Sequence, residues 1–229
     1  MRDDLAIAKE VACNMLNVDY KVEDKFGGLF IYHPFFNAMC LMDRDGLFFI
    51  NEEPQRFEKL KKDMARQIMR ADSIFGIMAF MMKPYYINYL VLINQYGVSD
   101  KVCGDILGDV WCSLENNDLQ DKSTKRLMRR WFRASDRSKY LSESDLEVYN
   151  NLPDEIEIYR GSQLNEPVDG FCWSLSRDVA DWFAHRYDNS NPVVHKANIK
   201  KSDVFAYTNA VDEQEVIVDY KKLYNIEEI

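Results

Sequence analysis

The spacing of apolar residues changes near Asn151, and that change constrains what the chain can fold into. Before it, apolar positions recur every three or four residues. Leu5, Ala8, Ala12, Met15 and Leu16 form one such series over 5–18, and Phe57, Leu60, Met64 and Ile68 form another after Pro54. That is the spacing of one buried face of an α-helix. After it, Glu155-Ile156-Glu157-Ile158-Tyr159 alternates polar and apolar, the pattern of a half-buried strand. Segments 170–173, 193–199, 204–207 and 215–218 read as further strands, with a helix over 177–187 among them. The spacing therefore predicts an α+β protein: a mainly helical region over 1–150, then a small β-rich region over 151–229 with a mixed or antiparallel sheet. A region of that size is marginal as an independent core. No Gly/Ser-rich linker precedes it, so it is expected to pack on the helices.

The helical region carries one expected hairpin. Phe26-Gly27-Gly28 ends the first helical series, 29–32 and 38–42 are short apolar runs, and Asp43-Arg44-Asp45-Gly46 reads as a turn before a strand over 47–50. The most apolar stretch, 74–93, is broken by Lys83-Pro84, where a membrane span needs about 20 continuous apolar residues. It reads as two buried helices, and no membrane association is expected. Ser99-Asp100 and Ser142-Glu143-Ser144-Asp145 are expected helix starts, and Leu152-Pro153 a helix stop.

Composition narrows the class. Hydrophobic residues make up 47% and charged residues 29%, the mix of a folded chain. The net charge of −9 argues against a protein that coats nucleic acid with its whole surface. Five scattered cysteines with no Cys-x-x-Cys pair fit a reducing compartment, and the opening MRDDLAIAKE lacks the apolar core of a signal peptide. A cytoplasmic location is expected. Glycine-rich nucleotide loops, His-Glu-x-x-His and Gly-x-Ser-x-Gly are absent, and His33, His185 and His195 are not spaced as ligands on one helix turn, so no metal site is expected.

Three pieces of the C-terminal region could carry chemistry. Tyr159-Arg160-Gly161 ends a strand with a side chain that can fork onto a phosphate, beside a residue that lets a ligand approach the backbone; taken alone, the plainer reading is a surface arginine before a turn glycine. Trp173-Ser174-Leu175-Ser176 precedes a helix. Ser176 suits that helix as its cap, which leaves Ser174 for another task. Asp212-Glu213-Gln214-Glu215 leads into Val216-Ile217-Val218. If this loop is extended, Glu213 and Glu215 point to one side; the plain alternative is a solvated acidic loop before an edge strand.

In this order and spacing the three pieces resemble the ADP-ribosyltransferases of the Arg-Ser-Glu class. Those enzymes show an arginine after the first strand, often as Tyr-Arg-Gly, then a Ser-x-Ser strand, then a Glu-x-Glu loop entering an apolar strand. The likeness covers about Glu155 to Tyr220. The helix ending in Tyr149-Asn150-Asn151-Leu152-Pro153 also looks like members carried by phages and other mobile elements, some of them toxin-like. One departure is Leu175, where the family usually has Thr.

The resemblance implies an ADP-ribosyltransferase-like core over 151–229 that binds NAD as a consumed substrate, releases nicotinamide and transfers ADP-ribose. It implies that Glu215 stabilises the ribose oxocarbenium ion and that Glu213 orients or deprotonates the acceptor, with a pKa raised by its neighbouring carboxylate. It further implies that Arg160 grips the pyrophosphate or ribose, that Gly161 offers backbone bonds to the nicotinamide amide, and that Ser174 positions the ribose and Glu215. Phe183 either stacks on nicotinamide or packs in the core. A Glu two residues before the catalytic one points to arginine of a host protein as acceptor. Alternatives are an NAD glycohydrolase, a nucleic-acid ADP-ribosyltransferase, and a non-catalytic interaction or inhibitor module on a degenerate transferase fold.

The segment Lys122–Lys139 bears on the acceptor. It holds eight basic residues against Asp136 alone, with Trp131 and Phe132 inside the run. It reads either as a docking surface for an acidic protein or nucleic acid, or as a solvated helix whose Leu127, Trp131 and Ala134 face the core.

Overall fold

The computed structural model describes residues 3–25, 28–114, 120–163, 168–186 and 191–229. The Phe26-Gly27 break and the helix end expected at Tyr187 lie outside the described residues. The chain forms two compact units, Met1–Ser99 and Asp100–Ile229. The division falls well before the change of spacing near Asn151, because the helices of 100–151 pack with the strands that follow them.

In the first unit, α1 (Asp4–Leu16) starts at Asp3, whose side chain accepts from the Leu5 N–H. Its buried face, including Ala8, Val11 and Ala12, meets α2 (Pro54–Arg70), α3 (Ile74–Met78) and α4 (Tyr86–Gln95). Tyr89 of α4 is buried and donates its hydroxyl to the Ala8 carbonyl at 2.9 Å. The expected hairpin is present as β3 (Leu41–Asp43) and β4 (Gly46–Phe48). A second ribbon, β1 (Lys21–Lys25) with β2 (Gly28–Tyr32), adds a strand that the apolar spacing did not predict, since Lys21–Lys25 is mostly charged. The 74–93 stretch is two helices parted at Lys83-Pro84, and among the described residues no helix is long and apolar enough to cross a membrane.

The second unit opens with α5 (Asp100–Val110), a single 3₁₀ turn at Trp111–Ser113, α6 (Lys122–Ala134) and α7 (Glu143–Asn151), the last capped by Ser142. Then come β5 (Glu155–Gln163), β6 (Cys172–Ser174), α8 (Arg177–His185), β7 (Pro192–Lys200), β8 (Val204–Thr208), β9 (Glu215–Val218) and β10 (Tyr224–Glu228). The six strands form one sheet in the order β10-β7-β5-β6-β9-β8, each neighbouring pair antiparallel. The fold class is α+β, as the spacing predicts.

Both faces of the sheet are covered. On one, Ile156, Ile158, Trp173, Ala197, Ile199 and Val216 pack together with Leu152 from the end of α7. On the other, Ala180 and Ala184 of α8 pack against Tyr159 and Val194. The helices before the sheet also pack aromatic rings against residues of the sheet region. Phe132 of α6 stacks on Phe205 of β8 with centroids 5.2 Å apart, and Trp111 meets Phe132 and Phe171 edge-on.

Candidate active site

The register of the sheet brings the three sequence pieces side by side. Tyr159 of β5 pairs with Ser174 of β6, and Ser174 pairs with Glu215 of β9. Residues directly opposite in an antiparallel ladder project to the same face, so Tyr159, Ser174 and Glu215 form one row. Thr208 of β8 continues it beyond Glu215. The face is the one that carries α8.

Arg160 follows Tyr159 and by alternation leaves β5 on the opposite side of the pleat. Its guanidinium turns toward β6, where Nη1 donates to the Cys172 carbonyl at 2.7 Å. Across β7 it faces His195, whose pKa is lowered by burial and by Arg160, while Glu228 opposes the shift.

Ser176 is the cap of α8, its side chain accepting from the Val179 N–H. Ser174 is buried, and its hydroxyl bonds run to backbone: Oγ donates to the Glu213 carbonyl at 2.7 Å and accepts from the Ser176 N–H at 2.9 Å. Its observed partner is thus the loop that carries Glu213, where the resemblance implied the Glu215 carboxylate and a ribose.

The Glu213 loop is not extended. Asp212 and Gln214 adopt left-handed φ values of 58° and 46°. The Gln214 N–H is held by Asn209 Oδ1 at 2.9 Å, and the Leu175 N–H binds the Gln214 carbonyl at 3.0 Å. Strand β9 begins only at Glu215. Period-two alternation therefore does not run from Glu213 to Glu215, and the expectation that it places both on one side is corrected. The Glu213 pKa is raised from its ordinary value, but the cause is burial, opposed by the positive charge of Arg186; a neighbouring carboxylate is not the source.

Glu215 is half-buried, and its Oε1 accepts from the indole N–H of Trp111 at 3.0 Å. Sequence reasoning missed this partner. Trp111 lies 104 residues away in a different element, and no local spacing marks it.

Gly161 serves first in packing. A Cβ built there would lie 1.9 Å from the Ala180 carbonyl oxygen and 2.5 Å from the Ala184 nitrogen, so the backbone of α8 rests directly on β5. Phe183 lies outside the buried cluster that Ala180 and Ala184 form. It is half-buried, edge-on to Trp182 at 5.0 Å, with the Arg186 guanidinium 5.5 Å from its ring. Trp182 is 56% exposed.

The basic segment is largely used inside its own unit. Arg129 donates to both oxygens of the fully buried Asp219, at 2.6 and 2.8 Å, and Arg133 also binds that carboxylate. Lys125 is buried and binds Asp169, Arg130 pairs with Asp100, and Arg137 donates to the carbonyls of Val204 and Phe205. Lys122, Arg126 and Lys139 are on the surface, as are the paired but exposed side chains of Arg130 and Arg133. The buried stripe of α6 is Thr124, Lys125, Met128, Trp131 and Phe132; Leu127 is half-buried and Ala134 exposed. A docking surface made of all eight basic residues is therefore not what the helix presents.

Among the described residues, no group of three or more His, Cys, Asp or Glu side chains is arranged to hold a metal ion. Comparison of the chain with protein-family models, with curated proteins and with solved structures returns no match.

Proposed function

We propose that the second unit is an NAD-dependent mono-ADP-ribosyltransferase that modifies arginine of a protein. The observation that carries the reading is the row Tyr159–Ser174–Glu215 across three adjacent strands; Arg160 is the next residue of β5 and leaves it on the other side of the pleat. Three weak motifs far apart in sequence meet on neighbouring strands, which supports the reading.

The chemistry follows from the charges. The bond between ribose C1′ and nicotinamide breaks, its electron pair leaves with nicotinamide, and the ribose becomes an oxocarbenium ion. The Glu215 carboxylate stabilises that cation and holds the ribose hydroxyl. Arg160 grips the pyrophosphate or ribose. An acceptor guanidine nitrogen then bonds to C1′ and gives its proton to Glu213, whose raised pKa suits a general base. The internal use of Arg129, Arg133, Arg137 and Lys125 favours a protein acceptor over a nucleic acid.

The test incubates the protein with NAD labelled in its adenylate half and a cell lysate, beside Glu215→Ala. Transfer predicts label in macromolecules with the wild type alone. Nicotinamide release without labelling makes the protein a glycohydrolase. No NAD turnover with any acceptor overturns the enzyme reading and leaves a non-catalytic interaction module.

A further inference from the structure

We infer that Trp111 is a positioning residue for Glu215: its indole N–H sets the orientation in which the carboxylate meets the ribose. The inference rests on the transferase reading above. Trp111 sits in the 3₁₀ turn that ends α5, 1% exposed, and its Nε1 lies 3.0 Å from Glu215 Oε1. The ring has little freedom to leave. Phe132 meets it edge-on at 5.2 Å and 69°, and Phe171 at 5.9 Å and 79°.

An indole N–H can only donate, and a buried donor without an acceptor is costly. Glu215 is that acceptor, and the bond is charge-assisted. The carboxylate, at the end of a flexible side chain, gains a fixed partner. The order is imposed during folding rather than when NAD arrives, which is how a site stabilises developing charge without reorganising. The donor comes from the helices before the sheet, so the region over 151–229 does not hold its own catalytic carboxylate unaided. Trp111 acts through Glu215 and has no role of its own toward the reacting atoms.

The experiment uses the full chain and two readouts. The first is the indole ¹H–¹⁵N resonance of Trp111, compared between wild type and Glu215→Gln in the absence of NAD; a distinct shift is expected. The second is steady-state NAD turnover by Trp111→Phe and by a variant with 3-benzothienylalanine at position 111, which keeps the bicyclic shape and replaces N–H by sulfur. The expected result is a kcat at least about tenfold lower, the loss of one charge-assisted bond, with KM for NAD within about twofold. The isostere keeps the packing, so it decides the matter if Trp111→Phe fails to fold. A wild-type kcat in the isostere variant, or an indole resonance indifferent to Glu215→Gln, overturns the inference while the transferase reading stands. A wild type that never turns NAD over overturns the transferase reading, and this role with it.

Discussion

At the scale of single residues, Gly161 and Glu213 depend on features that run in opposite directions. Gly161 is fixed by sterics: any side chain there drives into the carbonyl of Ala180. Gly161→Ala is expected to lower stability by about 1–3 kcal/mol, the usual range for overpacking. Urea unfolding should show a lower midpoint at unchanged slope; an unchanged midpoint would mean that α8 does not rest on β5 as described. Glu213 is fixed by solvation. Burial raises its pKa above the ordinary 4.5, so its carboxylate form is lost sooner than an exposed glutamate's as the pH falls. A base must be ionised to accept a proton, whereas hydrolysis has no need of Glu213. The ratio of transfer to hydrolysis should therefore fall on acidification at a pH above the ordinary glutamate range. In Glu213→Gln the ratio should be low and flat with pH. A wild-type ratio that falls no sooner on acidification than an ordinary glutamate titrates, while transfer proceeds, would remove Glu213 from the role. The steric role of Gly161 was not legible in the sequence, and for Glu213 the direction of the pKa shift was expected but not its cause, burial. Tyr159-Arg160-Gly161 marked the place, but the approach of α8 and the left-handed turns at Asp212 and Gln214 arise only when the strands assemble.

Among the elements, α6 shows most plainly where sequence and structure part. Its run of positive charge reads as a surface, yet its inward side ends on Asp219. Burial alone would push the Asp219 carboxyl up, but hydrogen bonds from Arg129 and Arg133 outweigh it and hold the pKa below the usual carboxylate range. Asp219 follows directly on β9, so the pair ties α6 to the strand that begins with Glu215. Because the folded pKa is depressed, the stabilisation is present above the unfolded value of about 3.9 and is lost as the pH falls through it toward the folded pKa. Asp219→Asn keeps the shape and removes the charge. It should cost about 3 kcal/mol at pH 7, as broken buried pairs do, and the deficit should shrink below about pH 4. Denaturant titrations of both proteins at the two pH values check this, and equal midpoints at pH 7 would contradict it. The acid that pairs with the arginines stands 86 and 90 residues further on, so the sequence could give the helix and its amphipathic character but not its partner. The strands were easier to read, since alternation in β5 is a local property. Strand β10 escaped notice because Tyr224–Glu228 holds two acids and is mostly exposed.

For the molecule as a whole, the boundary between units is the feature the sequence placed elsewhere. Local periodicity distinguishes helix from strand, and that distinction falls near Asn151. It does not say which helices pack on which sheet. Helices α5–α7 look in sequence like those before them, and it is partners such as those of Trp111, Arg129, Phe132 and Arg137 that assign them to the sheet. A fragment over 100–229 retains all of these partners, whereas 151–229 loses them. The shorter fragment exposes Phe205 and Phe171, leaves the buried Asp219 carboxylate without its arginines, and leaves Glu215 without the Trp111 N–H. Apolar burial is the main favourable term in folding, and an unpaired buried charge is costly. The fragment over 100–229 should therefore unfold cooperatively in urea and, under the transferase reading, retain NAD turnover. The fragment over 151–229 should show no cooperative transition. A cooperative transition in 151–229 at the same midpoint as in 100–229 would mean that the sheet needs none of the helices before it, and would return the boundary to Asn151.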